Sequence, residues 1–256
     1  MVKLILTDLD HTLLRQDGSI SEKTLNVLER CREKGIQFAI ATARYWIGAE
    51  KYIEKLRPDY EITTDGTLIH SKDRCIYSCE FSETETNEIV RSLLKCLPET
   101  EITVASKKLV FWNSKHISES EKLYKAVYND YSNPLDVRAN KIVAELPEER
   151  IAREIADKIG CKLQCYRGEN WYSFMPNGAG KPAAIEYLSK VSEINLKDIV
   201  AFGDDHNDME MLQLCGRGIA VANAVPQVLK ICDETTLSND EDGVACWLKD
   251  NCLQPD

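Results

Sequence analysis

Two apolar runs in this sequence end in carboxylates. In Leu4-Ile5-Leu6-Thr7-Asp8-Leu9-Asp10-His11-Thr12 the run stops at two aspartates one residue apart, followed by a threonine. In Ile199-Val200-Ala201-Phe202-Gly203-Asp204-Asp205-His206-Asn207-Asp208 a second run ends, through a glycine that permits a sharp turn, in three more aspartates. Residues i and i+2 of an extended segment face the same way. Read as extended, Asp8 and Asp10 leave a strand end together, into the crevice where open α/β sheets bind ligands. Like charges that close need a cation between them or a proton on one of them, so the pair calls for a metal, a shared proton, or both. Between the two clusters lie Phe38-Ala39-Ile40-Ala41-Thr42-Ala43-Arg44, a run ending in a hydroxyl and a guanidinium, and Lys181, which opens a helical pattern. Two acidic strand ends, a strand-end threonine and a lysine, in that order, form a site rather than an isolated motif.

The elements that must position these groups alternate. After the opening strand a helix is expected from Ile20 to Gly35, with Ser21 as its N-cap, and then a strand from Ile36 to Thr42. A helix over Arg44–Leu56, a short strand at Ile62–Thr64 ending in the turn Asp65-Gly66, and a hairpin of Leu68–His70 with Cys75–Phe81 follow. From Ser82 the pattern changes. Ser82 and Glu85 make a capping box before a helix; strands are expected at Glu101–Ala105 and Leu109–Trp112, a helix at Ser118–Tyr131, and a strand within Val137–Leu146. A helix from Pro147 to Gly160 and strands at Leu163–Arg167 and Trp171–Met175 complete this α+β block. Strand-helix alternation resumes from Gly180 and Lys181-Pro182, with strands at Ile199–Phe202 and Ile219–Val221. Helices are expected at His206–Leu214, at Pro226–Cys232 and from Asp242. The fold class is α/β: a Rossmann-like parallel-sheet core, discontinuous over residues 1–81 and 171–256, interrupted by an inserted α+β domain at 82–170.

At 256 residues the chain has room for two domains. Its net charge of −10 argues against a nucleic-acid surface, which needs a basic stripe. The same charge opposes an anionic substrate, so local cations or a metal must overcome it. No apolar stretch reaches the roughly 18–20 residues that span a membrane, and the N-terminus reads as a strand rather than a signal peptide. Ten cysteines without a signal sequence point to a reducing cytoplasm; their spacings are not those of a zinc knuckle. Nothing in the sequence fixes the oligomeric state, and a monomer is consistent with it.

The ordered set Asp8-x-Asp10-x-Thr12, Thr42, Lys181 and Gly203-Asp204-x-x-Asn207-Asp208 resembles the four motifs of the haloacid-dehalogenase-like superfamily over nearly the whole chain. Gly218-Ile219-Ala220-Val221-Ala222-Asn223-Ala224, together with Ser238-Asn239-Asp240-Glu241-Asp242-Gly243-Val244-Ala245, is similar to its Cof-type phosphatases, and the inserted block to a type IIB cap.

The resemblance implies a Mg²⁺-dependent phosphatase of small phosphorylated metabolites, sugar phosphates or similar, working through an aspartyl-phosphate. Asp8 would be the nucleophile and Asp10 the general acid and later the base, with Lys181 offsetting the developing charge. Thr42, Asn207 and, from its place beside Thr42, Arg44 would hold the phosphate. Asp8, the Asp10 carbonyl and Asp204 would hold Mg²⁺, with Asp208 supporting that set or Lys181. Leaving-group selectivity would come from the inserted block, through residues such as Lys107, Lys108, Phe111, Trp112 and Trp171.

The chain departs from the pattern at His11, Ala43 and Asp65, where glycine, glycine and asparagine are usual, and at Val221-Ala222, where Met-Gly is usual. Two other readings use the same residues: a phosphosugar mutase or phosphotransferase, and a catalytically silent metabolite-binding protein.

Overall fold

The computed structural model describes residues 1–114, 125–165 and 170–253. Every residue of β1 (Leu4–Thr7) is buried. A strand covered on both faces reads as an unbroken apolar run, which marks a parallel sheet between helices. The chain goes on through α1 (Glu22–Glu33), β2 (Gln37–Ala41), α2 (Trp46–Leu56), β3 (Tyr60–Thr63), β4 (Leu68–Ser71) and β5 (Arg74–Ser78). Next come α3 (Glu83–Cys96), β6 (Ile102–Ser106), β7 (Leu109–Trp112), β8 (Val127–Tyr128), β9 (Lys141–Glu145), α4 (Glu149–Ile159), β10 (Lys162–Cys165) and β11 (Trp171–Met175). The last stretch holds α5 (Lys181–Ser192), β12 (Ile199–Gly203), α6 (Met209–Leu214), β13 (Arg217–Ala220), α7 (Pro226–Ile231), β14 (Glu234–Thr235) and α8 (Gly243–Cys252). Local signals set several of these boundaries. Ser21 accepts the Thr24 amide at 3.0 Å, a cap worth about 1 kcal/mol. The Ser82/Glu85 capping box closes reciprocally, and Gly160, at φ 74°, ends α4.

The chain divides into two compact units. The first comprises Met1–Ala43, Lys51–Ile76 and Gly180–Asp256. Its sheet runs β14-β13-β12-β1-β2-β3-β4-β5. The pairs from β14 through β3 are parallel, and β4 is antiparallel to β3. Strand order advances from β1 to β3 in one direction and from β12 to β14 in the other, so the topological switch lies at the carboxyl ends of β1 and β12. In register Thr7 faces Phe202 on one side and Ile40 on the other. Asp8, Gly203-Asp204 and Ala41-Thr42 therefore emerge side by side.

The second unit comprises Arg44–Glu50 and Tyr77–Ala179. Its sheet runs β10-β11-β9-β6-β7-β8, antiparallel apart from the β7–β8 pair. Alternate residues Ile102, Val104, Ile142, Ala144 and Phe174 pack against Ile89, Val90 and Leu93 of α3 and Ala152, Ile155 and Ala156 of α4. This unit is larger than the 82–170 block expected from sequence. Strand β11 pairs with β9 and β10, so residues 171–179 belong to it rather than to the first unit. Phe81 lies in its core, and Tyr45 hydrogen-bonds Thr103 at 2.7 Å. The helix expected at Ser118–Tyr131 lies partly outside the described residues. Its remainder holds a strand instead: Val127 and Tyr128 pair with Phe111 and Trp112. No helix of the described residues is long and apolar enough to cross a membrane.

Candidate active site

The first acidic cluster does not continue as a strand. The Asp8 amide still donates to the Phe202 carbonyl at 3.0 Å, extending the ladder by one bond. Leu9–Leu13 then forms a single wide turn, closed by Leu14 N to Leu9 O at 2.8 Å. Asp10 keeps extended angles (φ −70°, ψ 129°), but His11 is left-handed (φ 58°, ψ 3°). That conformation explains why glycine suits the position after the second aspartate, and its cost for a histidine is about 1 kcal/mol. Asp10 is half-buried on this turn. The carboxylate cluster of the described residues consists of Asp8, Asp204 and Asp208, with one oxygen from each lying within 4.8 Å of the others.

Lys181 joins two members of that cluster. It is the first residue of α5, with Pro182 tolerated in the first turn. Its Nζ donates to Asp8 Oδ1 at 2.7 Å and to Asp208 Oδ1 at 2.6 Å, and all three side chains are buried. Asp208 Oδ2 turns back to accept the amides of Asp204 (3.0 Å) and Asp205 (3.3 Å). Gly203 makes room for this: a Cβ there would meet Asp208 Cβ at 2.5 Å. Gly66, at φ 84°, seats Lys181 in the same way, since a Cβ on it would lie 2.4 Å from the Gly180 carbonyl and 2.5 Å from the Lys181 amide nitrogen. Thr12 donates its hydroxyl to Asp204 Oδ1 at 2.7 Å.

Three carboxylates around one ammonium leave a buried surplus of negative charge. Burial raises the Asp8 carboxyl well above the usual range despite Lys181, and Asp208 and Asp204 push the same way. Burial pushes Asp204 up to about 6 against the Thr12 hydrogen bond, with Asp208 and Asp205 adding to the rise. Burial also opposes the Lys181 ammonium, but Asp208 and Asp8 outweigh it and hold the group protonated. Buried charges of this kind are stable only when paired or coordinated. An all-oxygen donor set with a surplus of about two negative charges fits a hard divalent cation.

The remaining residues singled out by sequence fall as follows. Thr42, 1% exposed, ends the strand beside Asp8; its amide donates to Ile62 O and its carbonyl accepts the Asp65 amide. Asn207 is half-buried in the 3₁₀ turn His206–Asp208. Asp205 caps that turn in a reciprocal box with Asp208, which accounts for its charge without chemistry. Arg44 belongs to the second unit and donates to the Gly48 carbonyl at 3.3 Å. Two features carried no assigned role in the sequence: the Thr12 hydroxyl, and the turn Thr64-Asp65, where both residues are left-handed and buried. A β-branched residue such as Thr64 in that region is an outlier, and the amide of the next residue, Asp65, donates to the Thr42 carbonyl.

Known proteins resemble the chain in sequence and in fold. The chain is 29% identical to an HMP-PP phosphatase of Escherichia fergusonii, over 89% of this chain and 87% of that protein. It is 24% identical to the 5-amino-6-(5-phospho-D-ribitylamino)uracil phosphatase YitU of Bacillus subtilis (strain 168), over 96% of both chains. The fold superimposes on the subclass IIB sugar phosphatase BT4131 with a TM-score of 0.83 at 20% identity, covering 97% of this chain and 98% of that one. The family profile of the haloacid dehalogenase-like hydrolases matches residues 5–248. With that match spanning both acidic strand ends and Lys181, the chain belongs to the haloacid dehalogenase-like hydrolase family.

Proposed function

We propose that the protein is a Mg²⁺-dependent phosphatase of small phosphorylated metabolites, sugar phosphates or compounds like them, acting through an aspartyl-phosphate on Asp8. The observation that carries this reading is the Asp8–Lys181–Asp208 chain at the switch point of the sheet, with Asp204 alongside. A phosphoryl-transfer site needs a fixed nucleophile and positive charge where the equatorial oxygens gather. Asp8, the Asp10 carbonyl and Asp204 would hold the ion, and Asp208, occupied by Lys181 and two backbone amides, would support that set. The ion would supply positive charge that neutralises the phosphoryl oxygens and helps to orient the group for attack by Asp8.

The chain's own groups do the rest. Asp8 attacks phosphorus as the leaving oxygen departs. Asp10 gives that oxygen its proton, then removes one from the water that cleaves the aspartyl-phosphate. Lys181, with Thr42 and Asn207, binds the phosphoryl oxygens. Asp208 fixes Lys181 so that its charge is in place before substrate arrives. The three relatives' names support the substrate class, since each is a phosphatase of a small phosphorylated molecule. The test is a panel of phosphorylated metabolites assayed for released phosphate with Mg²⁺ and with excess chelator. Release from one or more of them only with Mg²⁺ is expected; no release from any, or release undiminished by chelator, would refute the reading.

A further inference from the structure

The segment 221–242 supplies no group to the proposed chemistry, yet it grips the Asp10 turn at its middle and just past its end. Asn223 Nδ2 donates to the His11 carbonyl at 2.7 Å. Asn223 Oδ1 accepts the Asn239 amide at 2.9 Å. Asn239 Nδ2, buried, donates to the Leu14 carbonyl at 2.8 Å. The three bonds link the middle of the turn, at His11, to the residue that follows it, Leu14, through two asparagines. Beyond them Arg15 makes a forked pair with Asp242, and the Gln16 amide donates to Asp240. Two residues after Asn223, the Val225 amide donates to the Asp204 carbonyl at 2.9 Å. Residues 223–225 thus hold the carbonyls of His11 and Asp204 together.

The turn needs such a hold. Asp8 offers it no side-chain cap, and a histidine sits at its left-handed position. Asn223 holds the carbonyl that follows the left-handed residue; released, His11 could relax towards ordinary angles, and the Asp10–His11 peptide, with the Asp10 carbonyl in it, would turn relative to Thr12 and Asp204. An asparagine suits the task because one planar amide donates and accepts at fixed separation. Alanine does neither, and aspartate only accepts. We infer that Asn223 is a positioning residue that fixes Asp10 against Asp204, with Asn239 as its anchor. The inference rests on the phosphatase reading for its chemistry, but not for its geometry.

The experiment compares wild-type protein with Asn223→Ala and Asn223→Asp. Mg²⁺ binding is measured by titration calorimetry, kcat and KM with an aryl phosphate, and thermal stability by calorimetric scanning. Both variants should bind Mg²⁺ about 10-fold more weakly and lose about 10-fold in kcat, the scale seen when groups that orient metal ligands are removed. KM should stay within about 2-fold, because positioning acts on the transition state. Asn223→Asp keeps the bond to the Asn239 amide, so its loss isolates the donation to His11. Unchanged Mg²⁺ binding in both variants would overturn the inference, whatever their stability. So would failure of both to fold, which would make Asn223 structural alone. If Asn223→Ala does not fold, Asn223→Asp decides. Weakened Mg²⁺ binding in variants of a wild type that hydrolyses no phosphate would keep the positioning role and discard the phosphatase reading. A wild type that binds no Mg²⁺ would remove both.

Discussion

Thr12 donates its hydroxyl to Asp204 at 2.7 Å, across 192 residues of sequence. The bond ties the turn after β1 to the end of β12, and it is the largest of the interactions that lower an Asp204 carboxyl otherwise pushed up by burial, ahead of the charge of His11. A cation must bind the deprotonated carboxylate, so protons compete below about pH 6. Removing the hydroxyl in Thr12→Val raises the carboxyl further and moves that competition to higher pH. The variant should need more Mg²⁺ at pH 6.5, by a factor of about 10, and much less extra at pH 8. Activity titrated with Mg²⁺ at the two pH values reads this. An equal change at both would mean that Thr12 acts by packing rather than through the charge of Asp204.

Asp8 and Asp10 should separate by leaving group. Asp8→Asn is nearly isosteric but a poor nucleophile, so turnover should fall by about 10³-fold or more on every substrate. Asp10→Asn removes the proton donor, which matters most when the leaving alkoxide is basic. Its loss should be severe with a sugar phosphate and much smaller with an activated aryl phosphate. Equal losses of kcat/KM on both would show that Asp10 does not protonate the leaving group.

The sequence exposed some of this site and hid the rest, for physical reasons. Asp8, Asp204 and Lys181 were legible because each follows or opens a strongly patterned element: β1 and β12 are unbroken buried runs, and α5 starts at Gly180-Lys181-Pro182. The turn at Asp10 was not, since a left-handed histidine contradicts local preference and is held by partners more than 200 residues away, Asn223 and Asn239. Strand β8 was hidden for a similar reason. Val127-Tyr128 lay in a helical pattern, but pairing with Phe111 and Trp112 decided its state. The return to the first unit at Gly180 was invisible because β11 reads as a strand whichever sheet it joins.

Lys181 also bears on stability. Its ammonium is 2% exposed and compensates Asp8 and Asp208. Lys181→Met would leave two buried carboxylates without their cation, which costs about 3–5 kcal/mol when one partner of a buried pair is removed. Urea unfolding at pH 7.5 without metal should show this loss, and part of it should return when the pH is lowered to 5, because burial raises the Asp8 carboxyl and favours its protonated form in the folded state. The sign follows from that raised value: the folded state holds the proton more tightly than the unfolded chain, so stability falls as pH rises through it. A variant as stable as wild type at both pH values would mean that the pair is not buried in solution.

The second unit should distinguish packing from recognition at neighbouring positions. Trp112 is buried, so Trp112→Ala removes core volume at a cost of about 3–5 kcal/mol and should lower stability while leaving the order of substrate preference intact. Lys107 and Lys108 are different. Lys107 is exposed at the left-handed turn between β6 and β7, and Lys108 is partly exposed, its ammonium lying 3.4 Å from the centroid of the Trp46 ring. Neither is needed to fill a core. If they read the leaving group, Lys107→Ala and Lys108→Ala should reorder kcat/KM across phosphorylated metabolites, most for those whose leaving group is itself anionic. An aryl phosphate, with nothing for a lysine to pair with beyond the phosphate, should change by less than about 2-fold. Ranking the same panel for the three variants decides between the roles. A uniform loss in the lysine variants would assign them to stability, and a reordering in Trp112→Ala would make that tryptophan a reader of substrate after all.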